Sequence, residues 1–198
     1  MMESVKRMRR ERFWRKGVIY LLTWCLIVNT SVLAAPSGGD FTVGTGTIVE
    51  GANTAVTVNQ AQSVIQWGAP GSGGIDTAAG ESLTFLQAEG LSNSAVLNRI
   101  MSGNPTQFDG TLSGVDMRIF MVNPAGIIFG LGSQVNVSQL VASGLNMSDT
   151  DFLNTTDGSP ADFRFEGGNG IVQNSGEIQA NSVYLIGKQI SNIGGAII

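Results

Sequence analysis

The chain has 198 residues, a formal net charge of −4, 42% hydrophobic residues, one cysteine and no histidine. That length accommodates one domain with a substantial core and not two ordinary ones. Without histidine, the commonest acid–base catalyst and zinc ligand is excluded.

Taken from the amino terminus, residues 1–16 hold seven bases: Lys6, Arg7, Arg9, Arg10, Arg12, Arg15 and Lys16. The apolar run "GVIYLLTWCLIV" follows, and "SVLA" then supplies small residues. Basic, apolar and small, in that order, is the layout of a Sec-type signal peptide, assigned to residues 1–34 with cleavage expected after Ala34. The apolar run falls short of the ~20 residues that span a bilayer. Trp24 stands before Cys25, where a lipid-attachment site carries a small residue.

Residues 35–198 form the remaining domain. It keeps four bases (Arg99, Arg118, Arg164, Lys188) against 13 acids, the total of 15 less Glu3 and Glu11, for a formal net charge of −9. Such a surface lacks the basic footprint that nucleic-acid phosphates require. No cysteine is left, so stability must come from packing and backbone pairing rather than disulfides. A chain without cross-links can also pass a narrow pore. Glycine supplies 26 of these 164 residues and charged residues only 17, against about 7% and about 25% in an average domain. Disorder does not account for this, because Val, Ile, Leu and Phe are spread evenly.

Helix signals are nearly absent from residue 35 onward. Short alternating or apolar runs recur instead: "FTVGTGTIV", "TAVTVNQ", "SVIQW", "SLTFLQA", "SAVLNRIM", "MRIFMV", "GIIFG", "SQVNVSQLVA", "FRFEG" and "VYLIG". Gly, Asn, Ser, Asp or Pro separates nearly all of them, which predicts many short strands and an all-β fold. Within this series "LNRIM" is read as strand or loop. "GAPGSGGID", 68–76, lacks the Lys and Ser/Thr of a phosphate-binding loop and is read as a flexible loop. "SDTDFLNTTDG" groups Asp149, Asp151 and Asp157, and its spacing suits a solvated loop with Asx turns better than a calcium site. The triplets starting at Asn136, Asn146 and Asn154 match the glycosylation acceptor pattern and are given no role.

Near the end, "VQNSGEIQ" (172–179) aligns with "ISNIGGAI" (190–197), placing Asn174 over Asn192 and Gly176 over Gly194 at an offset of 18 residues. One coil of a β-solenoid has about this length. Asn at the same corner of successive coils can hydrogen-bond along the stack. A two-sheet sandwich with similar turns is the alternative on pattern alone.

Inside "RIFMVNPAGIIFG" (118–130), Asn123-Pro124-Ala125-Gly126 fits a type I turn: Asn first, Pro presetting φ second, a permissive third place, Gly fourth. The flanking apolar runs could form a bulged hairpin or turn a solenoid corner.

The run "SAVLNRIMSG", "FDGTLSG" and "MRIFMVNPAGIIFGLGSQVNVSQLVASGLNMSDTDFL", followed by "FRFEG", "VQNSGEIQA" and "VYLIGKQISNIGGAI", resembles the amino-terminal two-partner secretion domain of filamentous haemagglutinin-like exoproteins of Gram-negative bacteria. That group includes adhesins, haemolysins and contact-dependent inhibition toxins. The likeness extends from about Gly44 to Ile198. The family signature is Asn-Pro-Asn-Gly-Ile, and here it reads Asn123, Pro124, Ala125, Gly126, Ile127. Ala125 departs from it, which leaves the turn geometry intact and removes any contact made by an Asn amide there.

The resemblance implies a right-handed parallel β-helix with small extra-helical sheets and an N-terminal cap. It implies export by Sec, recognition of a largely unfolded chain by the periplasmic domains of a cognate outer-membrane β-barrel transporter, and passage without ATP to the cell surface or medium. Stacking of coils outside then biases motion outward. On this reading the chain is an address and a folding seed, not an enzyme, with residues 123–127 as its secretion motif and no catalytic, cofactor or metal residue. Family passengers run far beyond this domain, so the chain, which stops within a coil, is expected to be a shortened form. A stand-alone surface adhesin is the second reading. A β-helix polysaccharide-acting enzyme is the third, disfavoured because Arg164, in "DFRFE", is the single base in an acid-rich segment.

Overall fold

The computed structural model describes residues 35–155, 159 and 162–193. The signal-peptide assignment to 1–34, Asp157 and Gly194 lie outside the described residues.

Parallel strands wind into three faces. The first face stacks β3 (Asn53–Val58), β5 (Ser82–Gln87), the first half of β8 (Thr111–Val122), the first half of β10 (Gln134–Ser143) and β12 (Glu177–Gln179). The second stacks β4 (Gln62–Trp67), β6 (Ser94–Ile100), the second halves of β8 and β10, and β13 (Ser182–Ile186). The third stacks β7 (Thr106–Phe108), β9 (Ile127–Phe129), β11 (Ile171–Asn174) and β14 (Gln189–Asn192), with Thr77 bridging to Phe108 above them. All these pairings are parallel, and the chain visits the faces in the same order on each circuit. This is a right-handed parallel β-helix, the sense that parallel-strand connections almost always take. A sandwich of facing antiparallel layers is thereby ruled out. "LNRI" lies in strand β6, with Met101 just after its end.

Circuit length varies with what leaves the helix. Ser82 pairs with Thr111, 29 residues on, and Thr111 with Gln134, 23 on. Gln134 pairs with Glu177, 43 residues on, whereas Asn174 meets Asn192 after 18. The long circuit carries an excursion over 144–170 that includes the short helix α1 (Asp149–Leu153). Extra-helical pairing is small: an antiparallel bridge joins Asn146 to Glu166 in this excursion, and another joins Ser37 to Gly74.

The bend between the first and second faces uses left-handed backbone at two ordinary residues, Asn93 (φ 52°) and Asp116 (φ 54°). Asn and Asp tolerate that region best among residues with a side chain. The two corners are tied together, Asn93 N donating to the Asp116 carboxylate at 3.0 Å.

Two antiparallel strands close the amino-terminal end. β1 (Gly39–Val43) pairs with β4 and β2 (Gly46–Val49) pairs with β3, so the outer edges of two faces are covered. Gly46 is required there, because a Cβ would stand 2.1 Å from the Thr57 carbonyl oxygen.

Alternate side chains fill the interior, among them Val56, Trp67, Phe85, Ile119, Phe129, Leu140 and Ile178. Among the polar groups buried with them, Asn98 accepts from Trp67 Nε1 at 2.9 Å and donates to the Phe120 carbonyl at 3.1 Å. A second core lies outside the helix, where the excursion folds back on the second face. Val64, Leu97, Phe120, Val122 and Val141 meet Met147 and Phe152 there, with Phe163, Phe165 and Tyr184 at its margin. Phe120 contacts Phe152 and Phe163 edge-on at centroid distances of 5.2 and 5.3 Å. "MRIFMV" is therefore buried on both sides, which the apolar run Ile119, Phe120, Met121 and Val122 suits.

Candidate functional site

The signature turn connects β8 on the second face to β9 on the third. It turns a solenoid corner and is not a hairpin. Gly126 N donates to the Asn123 carbonyl at 2.8 Å, closing the four-residue turn. Ala125 keeps a negative φ, since Asn93 and Asp116 are the non-glycine exceptions among the described residues. Both features fit type I geometry. Gly126 has φ +125°, a conformation that favours glycine.

Asn123 is 1% exposed, and its side chain is used up inside the protein. Nδ2 donates to the Asn104 carbonyl at 2.8 Å and to Thr106 Oγ1 at 2.9 Å, while Oδ1 accepts from Ala125 N at 3.0 Å. An amide offers two N–H donors, and both are engaged. Ile127 is fully buried in the interior, level with Thr106 above and Val172 below.

Backbone bonds tie the turn to the rungs on either side. Thr106 N donates to the Gly126 carbonyl at 3.0 Å, and Asn123 N to the Ser143 carbonyl at 2.9 Å. Glycines let the corners approach: a Cβ on Gly170 would lie 2.6 Å from Gly126 N and 2.8 Å from Gly144 Cα.

Pro124 and Ala125 are half-buried and form one wall of a cavity of about 430 Å³. Arg99, Met101, Asn146 and Glu166 form other parts of its lining. Arg99 is already committed, donating to Asn146 Oδ1 at 2.9 Å and the Met147 carbonyl at 2.7 Å and pairing with Asp149. It fastens the excursion to the corner.

Other segments depart from their sequence readings. The acid-bearing stretch expected as a loop contains α1, because Ser148 caps it: Ser148 Oγ accepts from Asp151 N at 3.0 Å, and Asp149 and Asp151 fill the first turn. No group of three potential metal-ligating residues occurs among the described residues. "FRFEG" is not a strand; it contributes the Glu166 bridge and the packed rings of Phe163 and Phe165. "GAPGSGGID" is a tight hydrogen-bonded turn, with Ala69 and Ser72 exchanging backbone bonds at 2.9 Å.

Sequence reasoning overlooked Arg99, Asn104 and Thr106. A signal for the last two was present: Asn104-Pro105 repeats the Asn-Pro of the signature one circuit earlier.

Residues 33–197 match the family model described as TPS secretion domain. Among solved structures, the HMW1 secretion domain from Haemophilus influenzae is similar at a TM-score of 0.66 and 29% identity, covering 81% of this chain and 41% of that one. Among curated proteins, a heme/hemopexin-binding protein of Haemophilus influenzae is 26% identical over 129 residues, which is 64% of this chain and 13% of the relative. The chain thus spans a small part of that relative and less than half of the HMW1 chain. A match over residues 33–197, most of the chain, together with the capped parallel β-helix, means that the chain belongs to the TPS secretion domain family.

Proposed function

We propose that this chain is the amino-terminal secretion domain of a haemagglutinin-like exoprotein, led to the periplasm by residues 1–34 and the Sec machinery. A cognate outer-membrane β-barrel transporter recognises it there through its periplasmic domains and passes it to the cell surface or medium. The domain then seeds β-helix folding of an adhesin, haemolysin or toxin passenger. It works as an address and a template and catalyses no reaction.

The observation that carries the reading is the asymmetry of the stack. Antiparallel strands cover its first rung on two faces, whereas β12, β13 and β14 have no further parallel partner among the described residues. The covered first rung supports a stack that starts at its amino-terminal end.

The geometry also favours one role for the signature turn. Each side-chain polar atom of Asn123 is engaged inside the protein, which supports a role for the turn in the fold, while Pro124 and Ala125 are the half-buried residues of the motif.

The test is co-expression of the full chain in a Gram-negative host with and without the transporter, measuring surface and medium fractions and the mature amino terminus by mass spectrometry. Export that depends on the transporter, with a new terminus at Ala35, is expected. Equal export without the transporter would overturn the reading.

A further inference from the structure

The partners of Asn123 lie on a different rung. Asn104-Pro105-Thr106 forms the same corner one circuit earlier, and it supplies both acceptors for the Asn123 amide. Thr106 is 1% exposed and bound twice to the signature, through its hydroxyl to Asn123 Nδ2 and through its backbone N–H to the Gly126 carbonyl. The signature is therefore complete only when two successive rungs are in register.

We propose that Thr106, together with the Asn104 carbonyl, is a positioning element of the secretion determinant, so that the motif is a two-rung unit rather than residues 123–127 alone. This rests on the reading that the signature turn matters for export. The physical basis is local: with Thr106 lacking its hydroxyl, one N–H of a buried amide has no acceptor, and an unmet buried donor is costly. The turn can then leave its register while the rest of the β-helix stays intact. Thr106 acts through Asn123 and needs no contact with the transporter.

The experiment compares Thr106→Val, Thr106→Ser, Asn123→Ala and the Thr106→Val/Asn123→Ala double variant in the full chain with its transporter. The exported fraction and the urea unfolding midpoint of each variant are both measured. Val172→Ala, a buried change on the same face, serves as a control for stability loss alone.

Thr106→Val is expected to lower export roughly tenfold. Thr106→Ser restores it, and the double variant is no worse than Asn123→Ala. Val172→Ala is expected to lower the midpoint at least as much as Thr106→Val, with a smaller loss of export.

Three outcomes overturn the proposal: parental export by Thr106→Val, additive losses in the double variant, or export that tracks the midpoint in every variant including Val172→Ala. Normal export by Asn123→Ala would sink the underlying reading of the turn as well. A defect in Asn123→Ala but not in Thr106→Val would sink the two-rung unit alone. Should Thr106→Val fail to fold, Thr106→Ser still decides: it keeps the acceptor and must export as the parent does.

Discussion

The residue that differs from the family signature makes a clean probe. Ala125 borders a cavity of about 430 Å³, so Asn fits there without displacing packed atoms. Ala125→Asn is expected to change stability by no more than about 0.5 kcal/mol in chemical denaturation. A rise in export at unchanged stability would mark a contact made by the transporter. Gly176 is the opposite case, since a Cβ there would meet Ser133 Oγ and lie 2.6 Å from the Ser133 carbonyl oxygen. Gly176→Ala is expected to be strongly destabilising, lowering the urea midpoint well below that of Ala125→Asn. Asp76 adds a pH dependence. Burial raises its carboxyl above the usual range, and the hydrogen bond from Gln107 N opposes this in part. An acid with a raised folded value binds its proton more tightly in the native state. Its contribution is therefore most favourable below the ordinary Asp range and declines from about pH 4 upward, through the raised value. Asp76→Asn keeps the acceptor for Gln107 and should gain stability relative to the parent as pH rises through that window, measured by urea unfolding at several pH values.

Among the elements, the excursion over 144–170 holds the outer core through one ion pair and a set of rings. Phe120 lies at its centre, and Phe120→Ala is expected to cost about 3–5 kcal/mol, read from urea unfolding. Arg99→Ala removes the fastening to Asn146, Met147 and Asp149 and should bring faster proteolytic cutting within the excursion, with the interior strands still protected. The same element shows how far sequence can be read. Asn174 and Asn192 stack with their amides 3.0 Å apart, as their 18-residue offset implies. That echo was visible because the last circuit carries no insertion. The others do, so their rungs align at 23, 29 or 43 residues and no single period reveals them. The type I turn was legible for a different reason: Asn, Pro and Gly each impose a local backbone constraint. The socket formed by Asn104 and Thr106 left only the repeated Asn-Pro as a trace, because which rung lies above which is a property of the stack and not of the local sequence. "FRFEG" misled as a strand because alternating aromatics pack equally well as plugs against a neighbouring face.

For the molecule as a whole, the amino-terminal strands decide whether the stack stays single. Deleting residues 39–50 removes β1 and β2 and bares the edges of β3 and β4. The shortened domain is expected to associate more strongly than the parent in analytical ultracentrifugation at the same concentrations. A different consequence follows from the ladders running along the helix axis. Tension applied to the carboxy-terminal side loads one rung at a time: β14 is paired with β11 over four residues, and must peel away before β11 bears the strain. Such a body yields in small successive steps rather than by one concerted rupture. A thread drawn off a spool meets the same modest resistance at each revolution.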